Sequence, residues 1–253
     1  MKIGIVIPVR LESERLPSKV LKDFSGKPMI EHVWRRAQLV NPKIETVIAT
    51  DSKIIKDVCE EFGAQTLITS SSHINGLSRV GEVARILNWD FYVVLQADEI
   101  LVEPESLEKL ISTLQSTKSY DFYNLITNLE DITDLDDANV VKCLVRENNS
   151  VITIFRKSSS VASAEKQLIF TKKICGIFAI SDKTLQLVVG SPPQKMEISE
   201  SIEQMKIIEM GIDILGVSIV KSYPSVNTVN DALLVEKILR EDELQKAILS
   251  SIQ

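Results

Sequence analysis

The amino-acid sequence predicts an α/β fold in which a mostly parallel β-sheet is flanked by helices. Two observations predict it: β-branched apolar runs alternate with amphipathic segments, and in the first hundred residues the order is strand, helix, strand. The length of 253 residues fits one large domain of this kind or two small ones. We expect a single domain, residues 1–253, that includes an antiparallel outgrowth over residues 121–180.

The first part of the chain contains three predicted strands separated by helices. The run Ile3–Val9 is rich in β-branched residues, as in a strand that is buried on both faces. Two further strands of this character are predicted at 46–49 and 91–95, and helical patterns cover 28–40, 53–62 and 76–87. Pro28 suits a first helical turn, and Gly63 suits a helix end.

The middle of the chain is predicted to be mainly β-structure. Strand patterns cover 121–128, 140–146, 151–155 and 172–180, with a turn at Asn148-Asn149. The Ser- and Ala-rich segment 157–170 is predicted to be a mobile or partner-contacting loop. A helix at 198–210, a strand at 212–220 and a long helix at 229–249 complete the prediction.

Composition limits the classes of partner. The chain has 29 basic and 35 acidic residues, a net charge of −6 and no basic tract, so neither nucleic acid nor a membrane is an expected partner. Three widely spaced cysteines, Cys59, Cys143 and Cys175, indicate buried thiols in a reducing compartment, and we expect a cytoplasmic protein. No run approaches the ~20 apolar residues that span a bilayer.

The loop that directly follows the first strand is the most informative segment. Residues 10–19 contain three cations and two serines at the carboxyl end of a buried strand, where open α/β sheets bind ligands. Arg10, Arg15 and Lys19 could surround a triphosphate by charge-assisted hydrogen bonds. A solvated charged loop is the alternative reading. The segment matches neither a Walker A loop nor a dinucleotide-binding turn.

Two later segments carry weaker signals. Asp98 follows the strand at 91–95 and could bind a divalent metal, although it could equally cap the next helix. The loop His73–Arg79 leads into a helix whose N-terminus could face a base or a phosphate.

Taken in order, these segments resemble the 3-deoxy-manno-octulosonate (Kdo) cytidylyltransferases, the CMP-Kdo synthetase family, with this chain as a divergent member. The residues that carry the resemblance are Arg10, Ser13, Arg15, Leu16, Pro17 and Lys19, then Gly26–Ile30, Ala49–Asp51, His73–Arg79, Gln96–Ile100, Asn139–Lys142, Gly176–Phe178 and Ile202–Lys206. The implied fold is Rossmann-like, of the nucleotide-diphospho-sugar transferase type, and the outgrowth at 121–180 is the implied dimerisation element. The implied reaction joins CTP to a Kdo-like sugar acid with Mg²⁺ as cofactor, releases pyrophosphate and serves lipopolysaccharide biosynthesis in a homodimer.

The resemblance also implies a role for particular residues. The triphosphate would be held by Arg10, Ser13, Arg15 and Lys19, and the nucleotide pocket lined by Asn75, Gly76, Ser78, Arg79 and Gln96. The sugar acid would contact Gln96, Arg156, Phe178, Glu203 and Gln204, and the metal would be bound by Asp98 and Asn227. Arg10, Lys19 and Asp98 are the implied catalytic residues. Without the resemblance, Glu203 reads as a solvated helix face, His32 as a structural or surface histidine and His73 as a turn residue.

The match to the family pattern breaks in three places. Asn227 stands where the family has a metal-binding Asp, and an amide oxygen brings no charge to a hard cation. A His and two Tyr of the family are replaced by Ile174, Phe178 and Ile180, and residues 155–160 depart from the family's S-R-x-x-I-P. These changes predict a modified Kdo, such as an amino-Kdo, as substrate. The alternatives are a sialic-acid-like or other sugar acid and a catalytically silent CTP-binding homologue, and no single residue distinguishes CTP from UTP.

Overall fold

A computed structural model describes residues 1–11, 16–117 and 119–253. The strands are β1 (Ile3–Val9), β2 (Asp23–Phe24), β3 (Lys27–Pro28), β4 (Glu45–Thr50), β5 (Gln65–Ile68), β6 (Phe91–Leu95), β7 (Phe122–Asn128), β8 (Lys142–Val145), β9 (Val151–Phe155), β10 (Thr171–Ser181) and β11 (Ile214–Ser218). The α-helices are α1 (Met29–Gln38), α2 (Lys53–Glu61), α3 (Gly76–Leu87), α4 (Pro104–Ser116), α5 (Ala164–Phe170), α6 (Asp182–Gly190), α7 (Lys195–Glu200), α8 (Glu203–Glu209), α9 (Val229–Glu241) and α10 (Glu243–Ser251).

Contacts along the chain divide it into two compact units. The first unit contains residues 1–108 and 223–253, and the second contains residues 109–222. Helix α4 includes the boundary. The prediction of a single domain over residues 1–253 therefore stays a prediction.

The first unit has the predicted parallel sheet. Its strands lie in the order β6-β1-β4-β5, and each neighbouring pair is parallel. Ile5, Val6 and Ile7 of β1 are fully buried, as the β-branched run predicts for a strand covered on both faces. Helix α2 ends before Gly63, whose φ of 84° is readily adopted only by glycine. The α/β fold class is confirmed.

The second unit is largely antiparallel. Strand β10 pairs antiparallel with β7 and β8, β8 pairs antiparallel with β9, and β11 lies parallel to β7. Asn149 adopts a φ of 63°, which confirms the turn predicted there. The described strands within 121–180 pair antiparallel with one another, while the outgrowth and its role in dimerisation stay predictions.

Several predicted boundaries were wrong. Segment 157–170 is not all loop, because α5 occupies its second half. The helix predicted at 198–210 is two helices, separated where Ser201 takes a left-handed φ of 52°. The long C-terminal helix is interrupted at Asp242, whose extended ψ of 121° ends α9 and whose carboxylate accepts a hydrogen bond from the Gln245 N–H at the start of α10. Strand β5 and helix α4 were not predicted.

Cys59, Cys143 and Cys175 are all buried thiols, as predicted. Burial raises the pKa of Cys59 and of Cys143 to about 12, so these thiols stay protonated at neutral pH. Within the described part of the chain, no helix has the length and apolar character to cross a membrane.

Candidate active site

Three of the predicted functional residues come together in the first unit around the ammonium group of Lys19. The Lys19 Nζ donates hydrogen bonds to Asp98 Oδ2 at 3.0 Å, to the Val226 carbonyl oxygen at 2.8 Å and to Asn227 Oδ1 at 3.3 Å. Lys19 lies in a short 3₁₀ turn after β1, and Asp98 follows β6. Asp98 and Asn227, which lie 79 and 208 positions after Lys19 in the sequence, thus both contact its ammonium group.

Local hydrogen bonds fix the segment that carries Asn227. The Val226 N–H donates to the Asp98 carbonyl oxygen at 3.1 Å, which ties this segment to the end of β6. The Asp231 carboxylate accepts from the backbone N–H groups of Asn227 and Thr228, and Thr228 is the N-cap of α9. Asn227 is therefore positioned from both sides, by the start of α9 and by the bond between Val226 and Asp98.

The three oxygen atoms that surround the Lys19 ammonium group are of the types that coordinate hard metal cations. They are one carboxylate oxygen, one amide oxygen and one backbone carbonyl oxygen, and the Lys19 and Asp98 side chains are only 15% and 24% exposed. Oxygen donors of these three types also bind Mg²⁺ and Ca²⁺. The residues present are thus compatible with a divalent metal, although among the described residues no group of three or more His, Cys, Asp or Glu forms a metal cluster.

The remaining triphosphate residues are only partly described. Arg10 is exposed at the end of β1. Ser13 and Arg15 lie outside the described residues. Gln96 directly follows β6 and is partly buried. Their predicted contacts with a nucleotide stay predictions.

The predicted nucleotide loop forms a capped helix start. Asn75 is the N-cap of α3, with its Oδ1 accepting from the Ser78 N–H at 2.9 Å, and the Ser78 hydroxyl donates to the Asn75 carbonyl oxygen at 2.9 Å. Gly76 is the first residue of the helix. The side chains of Asn75 and Ser78 therefore shape this turn, whatever contacts they make with a nucleotide.

Arg79 joins α3 to the ends of two strands. Its Nη1 donates to Thr69 Oγ1 at 2.5 Å and its Nη2 to Asp51 Oδ2 at 3.1 Å. Asp51 and Thr69 each follow a parallel strand, β4 and β5, and Arg79 is 4% exposed. The guanidinium thus holds the carboxyl edge of the sheet, a structural role that the sequence alone did not indicate.

The two histidines have different surroundings. The ring Nε2 of His73 lies 2.5 Å from Glu82 Oε2, which also accepts from the Ser70 N–H at 3.0 Å. The Ser70 N–H, followed by His73, lowers the pKa of Glu82 below its usual value. His73 is therefore more than a turn residue, since it links the loop to α3. His32 is fully buried and donates from Nε2 to the Phe24 carbonyl oxygen at 2.6 Å, as a structural histidine.

The residues predicted to contact the sugar acid lie in the second unit, apart from Gln96. The Arg156 guanidinium donates to the backbone carbonyl oxygens of Ala138, Glu200 and Ser201 at 2.6–3.0 Å. It thereby fixes the junction between α7 and α8, just before Glu203 and Gln204.

Phe178 is 1% exposed, and its ring stacks on that of Phe122 with centroids 5.1 Å apart. A direct contact between Phe178 and a ligand would require neighbouring side chains to move.

Sequence analysis missed the residue that contacts Gln204. Asn124 Oδ1 accepts a hydrogen bond from Gln204 Nε2 at 3.2 Å, and Asn124 is fully buried in β7. The available signal was one amide inside the otherwise apolar run Phe122–Ile126. Such a residue is expected to hold buried polar groups.

The architecture has a close counterpart among solved structures. A CMP:2-keto-3-deoxy-manno-octonic acid synthetase complexed with CTP superimposes with a TM-score of 0.89 at 29% identity, covering 96% of this chain and 100% of the other. The fold is thus that of a nucleotidyltransferase.

Sequence comparison gives the family. The profile of the cytidylyltransferase family matches residues 4–214. A 3-deoxy-manno-octulosonate cytidylyltransferase of Chlorobium limicola is 35% identical over 95% of this chain and 98% of its own length. An 8-amino-3,8-dideoxy-manno-octulosonate cytidylyltransferase of Shewanella pealeana is 30% identical over 96% of this chain and 100% of its own length. The chain belongs to the cytidylyltransferase family, and its resemblance to the Kdo cytidylyltransferases is confirmed. It is a CTP-using nucleotidyltransferase.

Proposed function

We propose that this protein transfers CMP from CTP to the anomeric hydroxyl of Kdo or a modified Kdo such as an amino-Kdo, with release of pyrophosphate, in lipopolysaccharide biosynthesis. The observation that carries the proposal is the convergence of Lys19, Asp98 and Asn227 at the carboxyl edge of the parallel sheet. Relatives that act, by their names, on Kdo and on its 8-amino derivative support the choice of sugar acid.

The triphosphate is held by cations from the loop after β1. Arg10, Ser13, Arg15 and Lys19 bind phosphate oxygens, and Lys19 offsets the negative charge that develops at the α-phosphate during transfer. Positioning and charge neutralisation are the main demands of such a reaction, because the incoming hydroxyl and the leaving pyrophosphate supply the covalent chemistry. Asn75, Gly76, Ser78, Arg79 and Gln96 complete the nucleotide site.

Asp98 and Asn227 would hold the cofactor Mg²⁺. The fit rests on their oxygens already sharing one cation, the Lys19 ammonium. When bound, the metal neutralises phosphate charge. Because Asn227 contributes a neutral oxygen, the protein supplies less negative charge to this site than two aspartates would.

The sugar acid is recognised by Gln96, Arg156, Glu203 and Gln204, and by Phe178 once the side chains that cover its ring have moved. The positions at which this chain departs from the family, Ile174, Phe178 and Ile180, are all buried in β10. Their apolar side chains remove hydrogen-bonding groups from that strand, which favours a sugar acid with a different set of polar substituents.

We also infer a cytoplasmic homodimer that associates through the outgrowth at 121–180. Large apolar side chains on that segment are exposed: Ile152 by 47%, Ile169 by 77% and Phe170 by 40%. Sedimentation at micromolar concentration tests this, because a monomer mass would contradict it.

The test of function is pyrophosphate release from CTP and Mg²⁺ with a panel containing Kdo, 8-amino-Kdo and sialic acids. Turnover confined to Kdo or amino-Kdo is the expected result. Turnover with sialic acid alone would replace the proposed substrate class.

Asn227, which replaces the family's metal-binding Asp, favours one second candidate function: a homologue that binds CTP without catalysing transfer. Bound CTP, measured by calorimetry, with no pyrophosphate from any member of the panel would identify it.

A further inference from the structure

Asn124 is a buried polar residue in an apolar strand. It lies in the middle of β7 and is 0% exposed. A buried amide costs free energy unless its hydrogen-bonding groups find partners. Asn124 Nδ2 donates to the carbonyl oxygens of Leu125 and Cys175, both at 2.9 Å, and Asn124 Oδ1 accepts from Gln204 Nε2 at 3.2 Å. Both ends of the amide are therefore used.

The neighbouring strand explains part of this arrangement. Asn124 is paired with Phe178 of β10, and the register of β10 against β7 is irregular between Ile174 and Phe178. Cys175 lies within that irregular stretch. The Asn124 amide thus donates into a part of the sheet where the regular ladder is interrupted.

The same contacts fix the orientation of the Gln204 side chain. Backbone carbonyl oxygens only accept hydrogen bonds, so the nitrogen of the Asn124 amide must face Leu125 and Cys175. Its oxygen therefore faces Gln204, and Gln204 must present Nε2 to it. The Gln204 Oε1 is consequently directed away from Asn124.

Gln204 is available for a ligand on that other side. It is partly exposed as the second residue of α8, and its Oε1 makes no hydrogen bond with the residues that the structure describes. An amide oxygen accepts hydrogen bonds from hydroxyl or ammonium groups and cannot accept one from a carboxylate.

We propose that Asn124 is a positioning residue that holds the Gln204 carboxamide with its oxygen facing the sugar acid, so that Gln204 recognises a hydroxyl or ammonium substituent and not the carboxylate. This inference rests on the proposed function and deepens it by assigning a hydrogen-bond polarity to one sugar contact. Asn124 acts through Gln204 and touches no substrate.

The test is steady-state kinetics of Asn124→Leu with CTP and the sugar acid of the panel that the wild type turns over. Because Gln204 loses its fixed orientation, KM for the sugar acid rises about tenfold, the order expected for one hydrogen bond, while KM for CTP is unchanged. Asn128→Leu is the matched control, since Asn128 lies on the same strand, is exposed, and its side-chain oxygen accepts a hydrogen bond from Lys172 Nζ at the surface. It leaves both KM values unchanged.

A double variant separates positioning from a purely structural role. Gln204→Met is expected to raise KM for the sugar acid by a similar factor, and Asn124→Leu added to it raises KM no further. Multiplied effects in the double variant, or equal rises in both KM values for Asn124→Leu, would overturn the inference. If the wild type is active and one of these contradicting outcomes is found, only the inference about Asn124 fails and the proposed function stands. If the wild type turns over no sugar acid of the panel, the proposed function and the inference both fail.

A second measurement does not depend on the folding of Asn124→Leu. In a crystal structure of the wild type with CMP and the sugar acid that it turns over, the Gln204 carboxamide oxygen is expected within hydrogen-bonding distance of a hydroxyl or ammonium group of that sugar acid. Contact of Gln204 with the carboxylate, or with no part of the sugar acid, would overturn the inference.

Discussion

The site around Lys19 and the site around Gln204 are built from different chemistry. Lys19 and Asp98 are charged and follow parallel strands. They form a salt bridge with 3.0 Å between Lys19 Nζ and Asp98 Oδ2. Asn124 and Gln204 are neutral amides, one of them fully buried in an antiparallel pair of strands. Charges attract phosphate and metal with little regard to shape, whereas oriented amides distinguish donors from acceptors. Under the proposed function, charged groups around Lys19 hold the nucleotide, whereas the oriented amides of Asn124 and Gln204 select among sugar acids.

The largest expected effect is that of Lys19→Ala. Under the proposed function Lys19 offsets charge on phosphate, so its loss lowers kcat by about 10²–10³-fold, the range found when one transition-state donor is removed. Lys22→Ala, three residues further on and exposed, is the control and stays active. A fall in melting temperature that accounts for the lost activity would instead make Lys19 a structural residue.

The second-largest expected effect concerns stability and follows from the loss of the Arg79 contacts. Arg79→Met leaves the Asp51 carboxylate without its buried partner and lowers the free energy of unfolding by about 3 kcal/mol, measured by urea denaturation. Arg35→Met removes a partly exposed pair with Glu31 on one helix and costs about 0.5 kcal/mol. Equal losses for the two variants would show that Arg79 does not hold the sheet edge.

Asn227→Asp sharpens the metal assignment. An added carboxylate at the cation site lowers the Mg²⁺ concentration for half-maximal rate by about fivefold, because hard cations bind charged oxygens more tightly. Asn148→Asp adds the same charge at an exposed turn in the second unit and changes nothing in the Mg²⁺ dependence. If the Mg²⁺ dependence of Asn227→Asp matches that of the wild type, Asn227 does not bind the metal.

The smallest expected effect concerns Glu82. Its pKa in the folded state is lowered from 4.5 by the Ser70 N–H and by His73, so its stabilising contribution is complete above pH 4.5 and is lost as the pH falls through the lowered folded-state pKa. Glu82→Gln therefore has a slightly lower melting temperature than the wild type at pH 7, and the difference disappears in acid. A difference that persists in acid would contradict the role of the Glu82 charge.

The sequence predicted what depends on local pattern. The β-branched runs indicated the parallel strands, and the order of motifs indicated Lys19, Asp98 and Asn227. It could not predict the breaks at Ser201 and Asp242, because the left-handed turn and the cap that make them sit in segments with continuous helical periodicity.

Contacts between distant residues were also beyond the sequence. Asn124 and Gln204 are 80 positions apart, and their hydrogen bond follows from the pairing of β7 with β10 and the placement of α8. Arg79 likewise has two partners, Asp51 and Thr69, which become neighbours only when β4 and β5 pair. Sequence pattern indicates which residues carry chemistry, and the fold decides which of them meet.

The central claim is tested most directly by identifying the product. Mass spectrometry of a reaction containing the protein, CTP, Mg²⁺ and either Kdo or 8-amino-Kdo is expected to show the CMP-sugar and pyrophosphate in equal amounts. CMP and pyrophosphate without a CMP-sugar, or bound CTP that remains intact with both sugars, would contradict the account.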